Sequence, residues 1–462
     1  MVAKATAKKM PAVGKKKKKK HKKMDSDTKT LTTIMGGLGA VVVILVGGVG
    51  LFTYLTEPEK PKKTVTAQVN STKATDMQTA SMSTMALPPD VRDSFKAYEG
   101  QRSTFNPDRA YEPGEVIIAA PPADFEDRIR PAGFQVKEHI SLGKLGLKVV
   151  RVSTPPRMSV PDAVKKLGTI LPGVTIDANH QFEASALSPG TAGSNARLMA
   201  GWHKLSPSCG KGLILGQIDS GVDTQHPALV GQKVEYKAFT KSGRKPGPKQ
   251  HGTAVASMLV GNVEWGGLLP GASLYAANMF EINEKGKKVG SAVGLMKSID
   301  WLATKNVHAV NLSIAGGDNK VVRKAFDLAK RANLLMIAAV GNWGRNDKPA
   351  YPAAYEHVVA VTATKGTELI YSHANQGKYV DFAAPGVGIY TAQPGGGGKA
   401  QSGTSFATPY ITAMAAILSK AGKTPTATDL RKTLSKTTRD LGKPGKDSVY
   451  GYGYVMARPA CK

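Results

Sequence analysis

Three residues suited to acyl-transfer chemistry stand far apart in the chain. Asp219 ends the apolar run Leu213–Ile218, His251 heads HGTAVASMLVG, and Ser405 lies in SGTSFATPYITAMAAIL. A serine hydroxyl is a weak nucleophile at neutral pH and needs an imidazole to take its proton. The imidazole then becomes charged in the transition state, and a buried carboxylate holds its tautomer and stabilises that charge. Ser405 opens a strongly apolar helical stretch. Its own backbone N–H and the positive end of that helix would therefore face a developing oxyanion. Asn342, in AAVGNWG just beyond the apolar run Leu334–Ala339, supplies the side chain for a second donor. Activity is expected to fall in acid, where a protonated imidazole cannot accept the proton.

These residues need a frame that brings distant strand ends together. From Gly210 onward, apolar runs alternate with amphipathic ones. Strands are expected at Leu213–Ile218, Ser273–Met279, Ala309–Leu312, Leu334–Ala339 and Val358–Thr362. Helices are expected at Ala292–Ala303, Val321–Ala332 and Ser405–Lys420. Near-continuous apolar strands joined by helices imply a mostly parallel sheet covered on both faces, an α/β domain. In such sheets the reactive site lies beyond the carboxyl ends of the strands, which is where the four residues fall. Ahead of it, Glu115–Ala119, Pro122–Ala132, Phe134–Ile140, Leu147–Val152, Val160–Leu167 and Val174–Ala178 read as β-α-β-β-α-β, a ferredoxin-like order.

The order Asp, His, Ser is one of the known chain orders of this triad. The motifs IDSGVDTQHPAL, HGTAVA, NLSIAGG, AAVGN followed by YPAAYEHVVAVTA, DFAAPG and SGTSFATP run in register from about Gly210 to Ala460. In these the chain resembles the subtilisin family of serine peptidases. The resemblance implies a three-layer fold, with Asp219, His251 and Ser405 as the triad and Asn342 in the oxyanion hole. It also implies that Ser313, Ile314, Ala315, Gly316 and Gly317 pair with substrate in β-strand fashion and wall the pocket before the cut. The βαββαβ unit, ending in Ile176–Phe182, resembles the family's propeptides, whose last strand lies in the active site. Cleavage would then fall in the small, polar stretch Leu187–Ala200, expected to be exposed. A permanently attached accessory domain would read the same way.

Departures from the family's pattern are Ala254, Phe406 and Tyr410, where histidine, methionine and histidine are common. Phe406 should leave the site less open to thioether oxidation. Gly261–Leu269 is short where many relatives form a calcium loop, so no metal site and no cofactor are expected. Trp343, beside Asn342, reads equally as a pocket rim and as ordinary packing.

Of the net charge of +29, +10 lies in residues 1–30 and the rest is spread along the chain; those first residues hold twelve lysines against Asp25 and Asp27. Such a segment cannot form a packed core. Thr30–Thr56 then carries no charge. The apolar Ile34–Leu55 within it is long enough, at about 1.5 Å per residue, to span a bilayer core of about 30 Å. Lysines before the span place the N-terminus inside. The expected organisation is a basic cytoplasmic tail (1–30), a transmembrane helix (31–55), a flexible linker (56–111), a propeptide-like domain (112–186), a junction (187–204) and a catalytic domain (205–462). The whole would be a single-pass protein of the cell membrane with its catalytic domain outside the cytoplasm, periplasmic in a Gram-negative cell. It would act as a monomer on protein or peptide substrates, with no nucleic acid bound by the catalytic domain. The competing reading is a non-catalytic binding protein that keeps the fold. The two cysteines, Cys209 and Cys461, are either separate thiols or one long-range disulfide.

Overall fold

The computed structural model describes residues 103, 105–184, 187–190, 194–202, 206–419 and 424–457. The basic tail, the expected transmembrane helix at 31–55 and most of the linker lie outside them. Among the described residues no helix is long and apolar enough to cross a membrane. Cys209 is disulfide-bonded, and Cys461 lies outside the described residues.

The first unit contains β1 (Tyr111–Ala119), α1 (Phe125–Ile129), β2 (Gln135–Leu142), β3 (Leu147–Ser153), α2 (Val160–Ile170) and β4 (Thr175–Ala184). Its sheet runs β4-β1-β3-β2, with every neighbouring pair antiparallel. Alternation along β1 sends side chains to opposite faces. Val116 and Ile118 pack with Phe125, Ile129 and Leu167 of the unit's own helices. Ile117 and Ala119 instead join the large core of the rest of the chain. The expected helix over Pro122–Ala132 is shorter. It is α over Phe125–Ile129 and tightens to a 3₁₀ turn at Arg130–Ala132, where Pro131 cannot donate to an α-helical bond.

The second part adds, in chain order, β5 (Leu187–Gly190), β6 (Ser194–Asn195), β7 (Ile214–Asp219), β8 (Lys233–Ala238), α3 (Gln250–Val260), β9 (Ser273–Asn278), β10 (Phe280–Ile282), β11 (Lys288–Ser291), α4 (Ala292–Ala303), β12 (Ala309–Leu312), β13 (Ile314–Gly316) and α5 (Lys320–Arg331). It continues with β14 (Met336–Ala339), β15 (Val358–Lys365), β16 (Leu369–Ile370), β17 (Phe382–Pro385), β18 (Ile389–Ala392), β19 (Gly398–Ser402) and α6 (Thr404–Ser419). The strands β17-β15-β14-β12-β7-β9-β8 form a parallel sheet. Its central members β7, β12 and β14 are almost wholly buried, as their apolar composition requires. Helices α3 and α6 pack on each other, as do α4 and α5. Helix α5 is the clearest case of local encoding. Asn319 caps it by accepting from Val322 N at 2.8 Å, Val321, Val322, Ala325 and Phe326 face the core, and Lys330 and Arg331 meet the negative end of its dipole.

Two expectations need correction. Strand β4 does not stop at Ala178 but continues to Ala184. Its second half is held from outside the unit, by β11 on one side and β13 on the other. The stretch Leu187–Ala200 is not simply an exposed junction. β5 pairs with β19 and β6 with β18, and Arg197 is buried, donating from Nε to Gly267 O at 2.6 Å.

Candidate active site

Asp219 is the last residue of β7 and is fully buried. Its Oδ1 accepts the Ser220 N–H at 2.5 Å and lies 2.7 Å from His251 Nδ1. His251 is the second residue of α3. The start of that helix is tied twice to β7 and the residue that follows it. Gly252 N donates to Ser220 Oγ at 2.9 Å, and Gln217 Nε2 donates to Gly252 O at 2.9 Å. The approach is so close that a Cβ on Gly252 would sit 2.4 Å from Ser220 O and 2.5 Å from Gly221 O. Glycine is required there for His251 to reach Asp219.

A carboxylate on Nδ1 makes that nitrogen the donor and leaves Nε2 with its lone pair. Nε2 is buried, with no hydrogen-bond partner among the described residues. Beside it, α6 begins at Thr404, and the ring of Phe406 lies 5.6 Å from the His251 ring. The Ser405 hydroxyl points elsewhere in this structure, donating to Ser313 O at 3.3 Å, while Ser313 Oγ donates to Ser405 O at 2.9 Å. The serine and the histidine thus lie on packed helices, α6 and α3, without a hydrogen bond between them. Such catalytic contacts often tighten only with substrate in place.

Asn342 follows β14 and is buried against the head of α6. Its Oδ1 accepts from Thr404 N at 3.1 Å and from Thr404 Oγ1 at 3.0 Å. These bonds hold the Asn342 side chain at the head of α6, one residue before Ser405. Thr404 was not singled out from the sequence, although its position before the serine in SGTS was a usable signal.

Of the expected substrate-pairing residues, Ile314, Ala315 and Gly316 form β13 and pair antiparallel with Ala184, Glu183 and Phe182 of β4. Ser313 meets Ser405 as described, and Gly317 passes close to Pro107 O. The opposite wall, Gly290 and Ser291 of β11, pairs with Phe182 and Gln181. Sequence reasoning missed it, although the turn residues Asn283–Lys287 between two short apolar runs signalled a hairpin. Gly316 leaves room for the Phe182 ring, which would lie 2.4 Å from a Cβ there. Leu187 of β5 pairs with Ser402 of β19. β4 thus lies extended against β13, and β5 lies extended against β19.

A profile of the subtilase family matches residues 210–453. Over 252 residues the chain is 32% identical to "Minor extracellular protease Epr" of Bacillus subtilis (strain 168), covering 54% of this chain and 38% of that protein. It is 29% identical over 290 residues to subtilisin E of the same organism, covering 61% of this chain and 70% of that one. The crystal structure of fervidolysin from Fervidobacterium pennivorans, described as a keratinolytic enzyme related to subtilisin, superposes with a TM-score of 0.59 at 20% identity. That superposition covers 78% of this chain and 62% of fervidolysin and speaks to the fold alone. Geometry, motif order and the matched span agree: the chain belongs to the subtilase family.

Proposed function

We propose that this chain is a serine endopeptidase acting through an acyl-enzyme on Ser405. His251 takes the serine proton and passes it to the leaving amine, then activates the water that releases the acyl group. Asp219 holds the imidazole tautomer, and Asn342 with the head of α6 receives the oxyanion. The observation that carries this reading is the buried Asp219–His251 pair, on a helix that packs against the one headed by Thr404 and Ser405.

The βαββαβ unit, ferredoxin-like in strand order, is read as a propeptide-like domain lying in the cleft. Support comes from β4, which fills the space between β11 and β13. This moves the expected maturation point from Leu187–Ala200 to the bonds between Ala184 and Leu187, because β5 is already paired with β19, the strand that leads to Ser405. The apolar stretch 31–55 is proposed to anchor the protein in a membrane with the catalytic domain outside the cytoplasm, on the strength of its length and the lysines before it.

Intact-mass and fragment analysis of the wild-type chain and Ser405→Ala, both expressed in membranes, tests the proposal. A cut between Ala184 and Leu187 in wild type alone supports a self-maturing peptidase. Wild type that is uncut but hydrolyses casein makes the first unit a permanent accessory. No cut and no hydrolysis would return the chain to a non-catalytic binding role.

A further inference from the structure

The segment lying in the cleft carries a carboxylate that the catalytic scheme does not use. Glu183 pairs across the strand with Ala315, and its side chain is half-buried. The Trp343 indole Nε1–H donates to its Oε1, and Ser103 Oγ donates to its Oε2 at 2.7 Å. The exposed Lys288 of β11 adds positive charge nearby, but burial outweighs all three and pushes the Glu183 carboxyl up from its ordinary value. The site thus favours an oxygen acceptor more than a full negative charge.

The donor is fixed. Trp343 N donates to Asn375 Oδ1 at 3.0 Å. The indole is buried among Ala315 and Ala350, and Phe105 stacks on it with ring centroids 5.8 Å apart. Ser103 and Phe105 belong to the segment before β1 and would leave with it. Trp343 and Asn375 belong to the matched peptidase region and would remain. The register then says which substrate residue meets the indole. Ser405 Oγ lies on Ser313 O, so the substrate residue opposite Ser313 is the one at the reacting carbonyl. The residue opposite Ala315 stands two places before it.

We propose that Trp343 is a specificity-determining residue that selects substrates bearing glutamine or glutamate at the third position before the cut. The inference rests on the peptidase reading above. A lone indole donor rewards an acceptor side chain, gives alanine nothing and cannot pair with the ammonium of lysine, which Lys288 also repels. One neutral hydrogen bond at a half-buried site corresponds to about a three- to ten-fold preference.

The test uses the full-length chain and a set of peptidyl aryl phosphonates of sequence Phe-X-Ala-Ala, with the phosphonate in place of the last carbonyl and X being Gln, Glu, Ala or Lys. Labelling of Ser405 is followed by mass. The expected order of second-order rates is Gln, Glu, Ala, Lys, with Gln about three- to ten-fold above Ala. In Trp343→Phe the Gln-to-Ala ratio falls to about one, whatever that variant's absolute rate. The wild-type ratio decides the matter even if the variant does not fold. Equal wild-type rates for Gln and Ala overturn this inference and leave the peptidase reading standing. No labelling by any probe, in a chain that mass shows to be cut between Ala184 and Leu187, overturns the peptidase reading and this inference with it.

Discussion

Removing Lys241 should loosen the first unit from the catalytic body without touching the cleft. The Lys241 Nζ lies 2.8 Å from Glu112 Oε2 and 2.9 Å from Glu115 Oε2, with side-chain exposures of 7%, 2% and 16% for the three residues. Both carboxylates are on β1, and Lys241 is 129 positions away from Glu112. Deleting one partner of a buried pair typically costs about 3–5 kcal/mol, because the remaining charge stays desolvated. Here each glutamate keeps a second cation: Arg244 at 3.0 Å from Glu112 and Arg151 at 2.9 Å from Glu115. The lower end, about 3 kcal/mol, is therefore expected for Lys241→Ala. The backbone should hold, since Lys241 N donates to Glu281 Oε2 at 2.7 Å irrespective of the side chain. The assay is hydrogen exchange in a Ser405→Ala background, reading the amides of Gln181–Ala184 and Ile314–Gly316. An opening free energy lower by about 3 kcal/mol makes them exchange roughly a hundred-fold faster. Adding Glu112→Gln should cost less than its separate effect, because the two act on one pair. Exchange unchanged within about two-fold, or additive costs, would refute the claim that this cluster holds the unit in place.

Further outcomes follow from the same geometry. Asn342→Ala should lower kcat by about 10²–10³ with little change in KM, since its amide serves the transition state; steady-state kinetics on a peptide substrate checks this. Gly252→Ala should disable the site by driving a Cβ into Ser220 O and Gly221 O, seen as loss of both activity and thermal stability, whereas Gly286→Ala, with open space around it, should leave activity intact and cost only modest strain. Docking should weaken in acid. Burial raises the carboxyls of Glu112 and Glu138, but Lys241 with Gln181 and Arg244, and Lys297 with Arg151, bring them below their ordinary values. Depressed carboxylates contribute stability above the unfolded carboxyl range, and that contribution is lost as pH falls through the lowered folded values. Exchange at Gln181–Ala184 should therefore rise below about pH 4.5 beyond the intrinsic pH effect, and Glu112→Gln should blunt the rise.

The residues proposed to do chemistry were legible because each sits where a buried run meets a polar turn. Asp219 closes an apolar strand, and Ser405 opens an apolar helix. The parallel sheet was legible for the same reason: strands buried on both faces must be apolar throughout. What escaped was held by partners distant in sequence. β8, KVEYKA, is an edge strand with alternating exposure, so no continuous hydrophobic run announced it. His180–Ala184 mixes polar and apolar residues, and its extension depends on main-chain pairing with β11 and β13. Leu187–Gly190 looked like a loop by composition, yet β19 supplies the hydrogen bonds it needs. The rotation of the Ser405 hydroxyl toward Ser313 O could not be read from residue types at all.

The central claim is that Ser405 is a nucleophile activated by His251. Its most direct test is fluorophosphonate treatment of the full-length chain, with the adduct mapped by peptide mass. The account predicts one adduct, on Ser405, formed at least about a hundred-fold more slowly in His251→Ala. An adduct elsewhere, or labelling of Ser405 at the same rate without His251, would contradict it.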